Sequence, residues 1–203
     1  MSNPKYTMMT VAACEPAYVQ EALKHVSGFV ADLISKAGAV SARYGILATG
    51  EQVGSIVLFQ SYQELGDIDK AYQVYAESGD YQAVINSGKI SVTLRNIIKL
   101  EDVGLSNPSS EMPKYGVVTR FAGPLLLERM PEMVPLWEDN GAMILRYGTL
   151  MTGSNAGKRI LIAGYPSMDA IEKTYDALRD SATYQSIMAE IQVDMRNIIR
   201  TVG

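Results

Sequence analysis

The sequence predicts an α+β fold, two β-α-β-β-α-β units packed sheet to sheet as an α/β barrel within one chain. Three observations predict it. The chain repeats itself: RYGILATG at 43–50 returns as RYGTLMTG at 146–153, and 15 of the 42 pairs between 43–84 and 146–187 are identical. A two-residue shift then brings RNIIK (95–99) onto RNIIR (196–200). Self-similarity at a fixed spacing marks a duplicated unit. Next, EDVGLSNPSSEMPK (101–114) holds two Pro, one Gly and three Ser without periodicity, so it reads as a linker. The expected boundaries are 1–100 for the first repeat, 101–114 for the linker and 115–203 for the second repeat. Finally, each repeat switches between two-residue and 3.6-residue apolar periods in the same order.

In the first repeat TMMTVAA (7–13) is a short apolar strand, and Pro16 opens a helix. Apolar residues at 19, 22, 23, 26, 29, 30, 33 and 34 give that helix one buried face, and Gly38 ends it. AVSARYGILAT (39–49) and SIVLFQSY (55–62) form a hairpin around GEQVG. An amphipathic helix follows over 63–79, then a short helical turn over 80–88 and a closing strand over 89–100. The second repeat runs in the same order. Its first helix, expected over 125–139, carries Pro131 and Pro135 and should be kinked or broken.

The split β-α-β pattern, met twice, is the ferredoxin-like arrangement. Two helices cover one face of each sheet, and the bare apolar face must be buried. Two four-stranded sheets facing each other satisfy both halves. Alternation along the third strand separates Val57, Phe59 and Ser61 from Ile56, Leu58, Gln60 and Tyr62. The first set is expected against the helices. The second set is expected in the lumen, with Arg159, Leu161, Ala163 and Tyr165 as its counterparts. On the closing strands, Arg95 and Arg196 are assigned to the lumen or its rim, with Asp194. Asn96 and Asn197 then face the helices.

Composition narrows the function. The net charge is −4 and the pI about 5.1, which argues against non-specific binding to nucleic acid or to an anionic membrane. MSNPKYTMMTVAA lacks the apolar core of a secretory signal, and no stretch approaches 18 uninterrupted apolar residues. Cys14 is the only cysteine, so no intramolecular disulfide forms, and a structural thiol is expected. A cytoplasmic protein is the expectation. The P-loop, GxGxxG, HExxH, CxxC and GxSxG patterns are all missing from the sequence.

The chain resembles the dimeric α/β-barrel superfamily, which includes antibiotic-biosynthesis monooxygenase-like, stress-responsive barrel and NIPSNAP-like domains. The resemblance rests on the element order, on the glycine-rich hairpins ATGEQVGSIV and MTGSNAGKRI, and on GYPSMDAIEKTYDALRDSATYQ. It covers nearly the whole chain. It implies the barrel, and a superfamily that hosts cofactor-free oxygenases, haem-degrading enzymes, isomerases and dehydratases, so fold leaves the reaction open. In the oxygenase relatives, lumen Asn and Trp residues hold the substrate. Here the only tryptophan, Trp137, falls on a helix.

Arg43 and Arg146 stand at matched positions in the best preserved segment. Both are expected to be more than half buried and to meet a carboxylate or a carbonyl, as buried guanidinium groups require. They read either as a clamp for an anionic ligand or as structural ion pairs, with Asp194 or a Glu of the facing half. Gln60, Tyr62, Tyr165 and Arg159 complete the expected ligand-binding set. The recurrent tyrosines read as packing residues with a bonded hydroxyl or as oxyanion donors. His25, the only histidine, falls at the edge of its helix's apolar face. It argues against histidine-rich metal sites, and no metal or cofactor is expected. Two functions stay open. One is a barrel that binds or transforms a small, partly apolar, oxygenated metabolite, monooxygenase-like by resemblance. The other is a non-catalytic structural or assembly protein with a side-chain-filled barrel. A small-molecule ligand and a homodimer are the partners considered, with no nucleic acid and no membrane.

Overall fold

The structure, a computed structural model, describes residues 3–203. The elements are β1 (Tyr6–Cys14), α1 (Val19–Lys36), β2 (Ser41–Leu47), β3 (Ile56–Tyr62), α2 (Asp67–Glu77), α3 (Gly79–Asn86), β4 (Ile90–Leu100), β5 (Tyr115–Ala122), α4 (Met130–Glu138), β6 (Ile144–Leu150), β7 (Arg159–Tyr165), α5 (Met168–Asp180), α6 (Ala182–Glu190) and β8 (Gln192–Thr201). The strands form one closed antiparallel barrel in the order β1-β3-β2-β8-β5-β7-β6-β4, with β4 returning to β1. The α+β class, the repeat and the barrel therefore stand as the sequence predicts. Among the described residues no helix is long and apolar enough to cross a membrane.

Three apolar layers organise the molecule. One lies between the first sheet half and α1–α2, around Met8, Phe29, Leu33, Tyr62 and Tyr75. Its counterpart lies under α4–α6, around Met133, Trp137, Leu145, Tyr165 and Leu178. The third fills the middle of the lumen with Met9, Val57, Ile98, Val118 and Ile160. An eight-stranded barrel is just wide enough for side chains to fill it.

The third layer corrects the face assignment. Val57, Phe59, Ile160 and Ile162 point into the lumen, whereas Ile56, Leu58, Tyr62, Leu161, Ala163 and Tyr165 pack towards the helices. The closing strands are reversed too. Arg95 lies over the Tyr75 ring at 4.5 Å and Arg196 over the Tyr175 ring at 4.7 Å, both beneath the helices. Asn96 and Asn197 instead border the lumen.

The repeated motif is a seam. β8 of the second half pairs with β2 through Gly45↔Thr201, Ile46↔Arg200 and Leu47↔Ile199. β4 pairs with β6 through Ile98↔Leu150, Lys99↔Thr149 and Leu100↔Gly148. An added Cβ on Gly45 would lie 2.8 Å from Ile199 Cγ2, and one on Gly148 would lie 2.9 Å from Ile98 Cγ2. Only bare backbone lets the strands approach this closely. Thr49 Oγ1 accepts from Ile198 N at 2.8 Å, and Thr152 Oγ1 accepts from Ile97 N at 2.9 Å. Gly50 and Gly153 turn at φ +93° and +83° directly against Asn197 and Asn96. The Gly, Thr and second Gly of RYGxLxTG thus join each half to the other.

Two elements sharpen expectation. The helix expected over 125–139, kinked or broken, is a 3₁₀ turn, Leu127–Arg129, followed by α4 with Pro135 inside it. The turn expected over 80–88 is a full helix, α3. Its Ser78 side chain accepts from Tyr81 N, as Ser181 accepts from Tyr184 N in α6, so these matched serines serve as helix caps. The linker is held to α4: Glu138 accepts from Ser106 N at 3.1 Å and Asn107 N at 2.7 Å.

Candidate functional site

The central apolar layer leaves a cavity at each end of the lumen. One, of about 130 Å³, sits where β1, β2, β5 and β6 begin and β3, β7 and β8 end. Arg43 from β2 and Arg146 from β6 both line it. Alternation places them there: Ser41, Arg43 and Gly45 share a face, as do Ile144, Arg146 and Gly148. Hairpin register agrees, since Arg43 pairs with Phe59 and Arg146 with Ile162, both lumen residues.

The two guanidinium groups are half-buried, and no carboxylate pairs with either among the described residues. Arg146 Nη1 donates only to the carbonyl of adjacent Leu145, at 3.0 Å. Arg43 Nη1 is buried without any partner among them. The expected pairing thus holds for Arg146 through a carbonyl and fails for Arg43. Burial pushes the Arg43 pKa down. Burial and then the positive charge of Arg43 push that of Arg146 down. Asp194, considered as their partner, pairs instead with Arg120 Nε at 2.7 Å and with Lys158.

The cavity wall is otherwise apolar or hydroxyl-bearing: Thr7, Ser41 and Ser61 on one flank, Ile144, Ile162 and Pro113 on the other. Among the described residues no histidine, cysteine or carboxylate lines it. The chemistry of such a lining, two guanidinium groups among hydroxyls and hydrocarbon, is of the kind that can pair with an anion or an oxyanion.

The cavity at the other end is larger, about 390 Å³, and is bordered by Asn96, Asn197, Arg120 and Asp194. Its arginine already has a carboxylate: Arg120 and Lys158 both pair with Asp194. Size favours that end, while unmet charge favours the first. Unmet charge is the stronger argument, because a desolvated cation without a counterion is the more costly arrangement.

The other expected ligand residues lie elsewhere. Tyr62 Oη donates to Gln60 Oε1 at 2.8 Å, Gln60 Nε2 donates to Tyr75 Oη, and Tyr75 Oη donates to Met8 Sδ at 3.4 Å. This chain lies buried between β3 and α2. Burial, then Tyr75 and Asp67, raises the Tyr62 pKa. Burial, then Tyr175, raises that of Tyr165. Arg159 Nη1 donates to Thr149 Oγ1 at 2.6 Å on the same outer face. None of these four residues reaches the lumen, which corrects their placement. Of the expected set, the structure brings only Arg43 and Arg146 to one cavity.

His25 Nδ1 meets Asp80 Oδ1 at 2.8 Å between α1 and α3. Burial, then Glu15, raises the Cys14 thiol pKa. The residues that the sequence reading missed are Thr7, Ser41 and Ser61. Their signal was present: each lies in hairpin or cross-strand register with the lumen side of Arg43.

A family profile described as a domain of unknown function, DUF6854, matches residues 4–100 and again 113–201. No curated protein matches the chain in sequence. Several solved structures share the fold. A provisionally assigned monooxygenase from Fusobacterium nucleatum subsp. nucleatum superposes with TM-score 0.69 at 12% identity, covering 100% of this chain and 94% of its own. A mutant chlorite dismutase from Candidatus Nitrospira defluvii gives 0.66 at 8% identity, covering 100% and 93%. A heme-binding protein from Thermus thermophilus gives 0.58 at 10% identity, covering 98% and 92%.

Proposed function

The chain belongs to the DUF6854 family, and we propose that it binds a small, partly apolar carboxylate in the barrel lumen between Arg43 and Arg146. One observation carries the proposal: two half-buried guanidinium groups line the same cavity, and no carboxylate of the chain neutralises either among the described residues. A bound anion would satisfy both and relieve their mutual repulsion. The cavity lies below the ~300–1,000 Å³ of drug-sized pockets, which suits one ring or a short chain. The monooxygenase-like neighbour supports a role with small organic molecules. The cavity residues contribute binding and oxyanion stabilisation to any transformation there.

The heme-binding neighbour raises haem as a ligand. The residues here do not fit it. The single histidine is bonded to Asp80 and borders a cavity of about 50 Å³, and no cluster of three metal-ligating side chains exists among the described residues. The structural reading, a filled barrel without a ligand, draws on the central apolar layer. That layer closes the middle of the lumen but leaves the arginine end open.

Calorimetric titration with benzoate, and with neutral benzamide as control, tests the proposal. Charge-assisted hydrogen bonds contribute about 1.5–3 kcal/mol, so Arg43→Gln or Arg146→Gln should weaken benzoate roughly 10- to 100-fold and leave benzamide unchanged. Equal affinity for both compounds, or a double variant that still binds benzoate normally, would refute it.

A further inference from the structure

We propose that the lumen site selects a carboxylate bearing a hydroxyl or oxo group on one flank and hydrocarbon on the other, an inference that rests on the carboxylate reading above. The two halves align through Tyr6↔Tyr62 and Tyr115↔Tyr165. In the first half, one residue inward on each strand, Thr7 pairs with Ser61 and Ser61 with Ser41. In the second half the equivalent positions hold Gly116, Gly164 and Ile144, again paired in sequence across the sheet. All six residues line the arginine cavity.

The pseudo-twofold axis that relates Arg43 to Arg146 therefore carries three hydroxyls onto two glycines and an isoleucine. The next strand extends the pattern. β8 lies beside β2, and its Thr201 lines the same cavity. Its counterpart on β4 is Leu100. Four neighbouring strands, β1-β3-β2-β8, thus present hydroxyls to one side of the mouth. The opposite side is Gly, Gly and Ile, with Ile162 and Pro113 adding hydrocarbon.

The hydroxyl side has capacity to spare. Thr7 Oγ1 and Ser61 Oγ share one hydrogen bond of 3.0 Å, which leaves one of the two protons and several lone pairs unused. The side chains of Ser41 and Thr201 make no hydrogen bond among the described residues. A ligand whose carboxylate spans both arginines can turn a hydroxyl or oxo group to this side and be paired. Turned the other way, that group would meet hydrocarbon and lose its water without replacement. The arginines supply charge symmetrically, and the hydroxyl side fixes orientation.

The test is calorimetric titration of benzoate, 3-methylbenzoate and 3-hydroxybenzoate, with butanoate and 3-hydroxybutanoate as an aliphatic pair. The expected result is about tenfold tighter binding of each hydroxylated compound than of its parent, as one added hydrogen bond gives. The methyl compound should gain no such preference. In a variant that removes all four hydroxyls, Thr7→Val/Ser41→Ala/Ser61→Ala/Thr201→Val, the preference of each hydroxylated acid over its parent should vanish. Should that variant misfold by circular dichroism, Ser41→Ala/Thr201→Val serves, since neither side chain makes a hydrogen bond among the described residues, and the preference should then shrink. Equal affinity for hydroxylated and parent acids in the wild type would overturn this inference and leave the carboxylate reading standing. Retention of the full preference in these variants would also overturn it. Failure of all five acids to bind would overturn both.

Discussion

Replacing Gly45 with Ala should open the seam between the two halves. The new Cβ would lie 2.8 Å from Ile199 Cγ2 and 3.0 Å from the Arg200 carbonyl carbon. Carbon atoms in favourable contact sit about 3.5–4.0 Å apart, so β2 and β8 must separate by roughly 1 Å. Several hydrogen bonds cross this seam close by, and four of them are short. These four are Tyr44 N to Gly203 O at 2.6 Å, Val202 N to Tyr44 O at 2.9 Å, Ala48 N to Ile198 O at 2.8 Å and Ile198 N to Thr49 Oγ1 at 2.8 Å. A 1 Å separation stretches most of them past the useful range of about 3.2 Å. At about 1 kcal/mol each, losing two to four costs about 2–4 kcal/mol, a large part of a typical stability of about 5–15 kcal/mol. For a chain of this size that lowers the midpoint by roughly 10 °C. Thermal denaturation followed by circular dichroism reads it directly. Gly66→Ala is the control, because no atom lies within 4 Å of the added Cβ and the φ of −65° is helical. A Gly45→Ala protein melting within about 2 °C of wild type would show that the seam does not depend on bare backbone.

Two other substitutions separate packing from binding. Gln60→Ala removes the link between Tyr62 and Tyr75 and leaves both hydroxyls short of a partner, so denaturant unfolding should show a loss of about 2–4 kcal/mol while benzoate affinity stays the same. Lost binding at unchanged stability would put Gln60 in the site after all. Asp194 is pushed up by its own burial, but hydrogen bonds from Lys158 and Arg120 outweigh this and hold its carboxyl below the ordinary range. A lowered carboxyl stabilises the fold above the unfolded value, about 3.9, and that contribution fades as pH falls through the folded value. Asp194→Asn should therefore cost about 2 kcal/mol at pH 7, and the gap should close in acid below the carboxylate range. A gap that persists unchanged at low pH would contradict the ion-pair account.

The fold was legible because its signals are redundant. The duplicated RYGxLxTG, the turn glycines and the capped helices all point to the same topology. The site was legible only in part. Arg43 and Arg146 stand out because both halves keep them, but Gln60 and Tyr62 cannot share their face. The tight hairpin pairs Arg43 with Phe59, so the arginine belongs with Val57, Phe59 and Ser61. The polar side chains on β3 suggested a lumen, whereas the centre of a narrow barrel is filled with hydrocarbon. The polar positions instead serve a buried tyrosine chain under α2. Which helix residue would receive Gln60 is a tertiary fact. Tyr72 recurs in both halves, yet Tyr75, with Leu178 at the matched position, takes the contact with Gln60.

The covalent fusion of the halves has a consequence for the mouth of the barrel. In a symmetric homodimer, a residue on one side of the axis is obliged to appear on the other. A serine at position 41 would then always face its own copy, and every pocket on the axis would have two identical walls. Joining both halves through residues 101–114 removes that obligation while keeping both seams intact. Each wall becomes free to vary alone. If the lumen takes the carboxylate proposed above, a barrel with two identical arginines could thereby tell the left side of its ligand from the right.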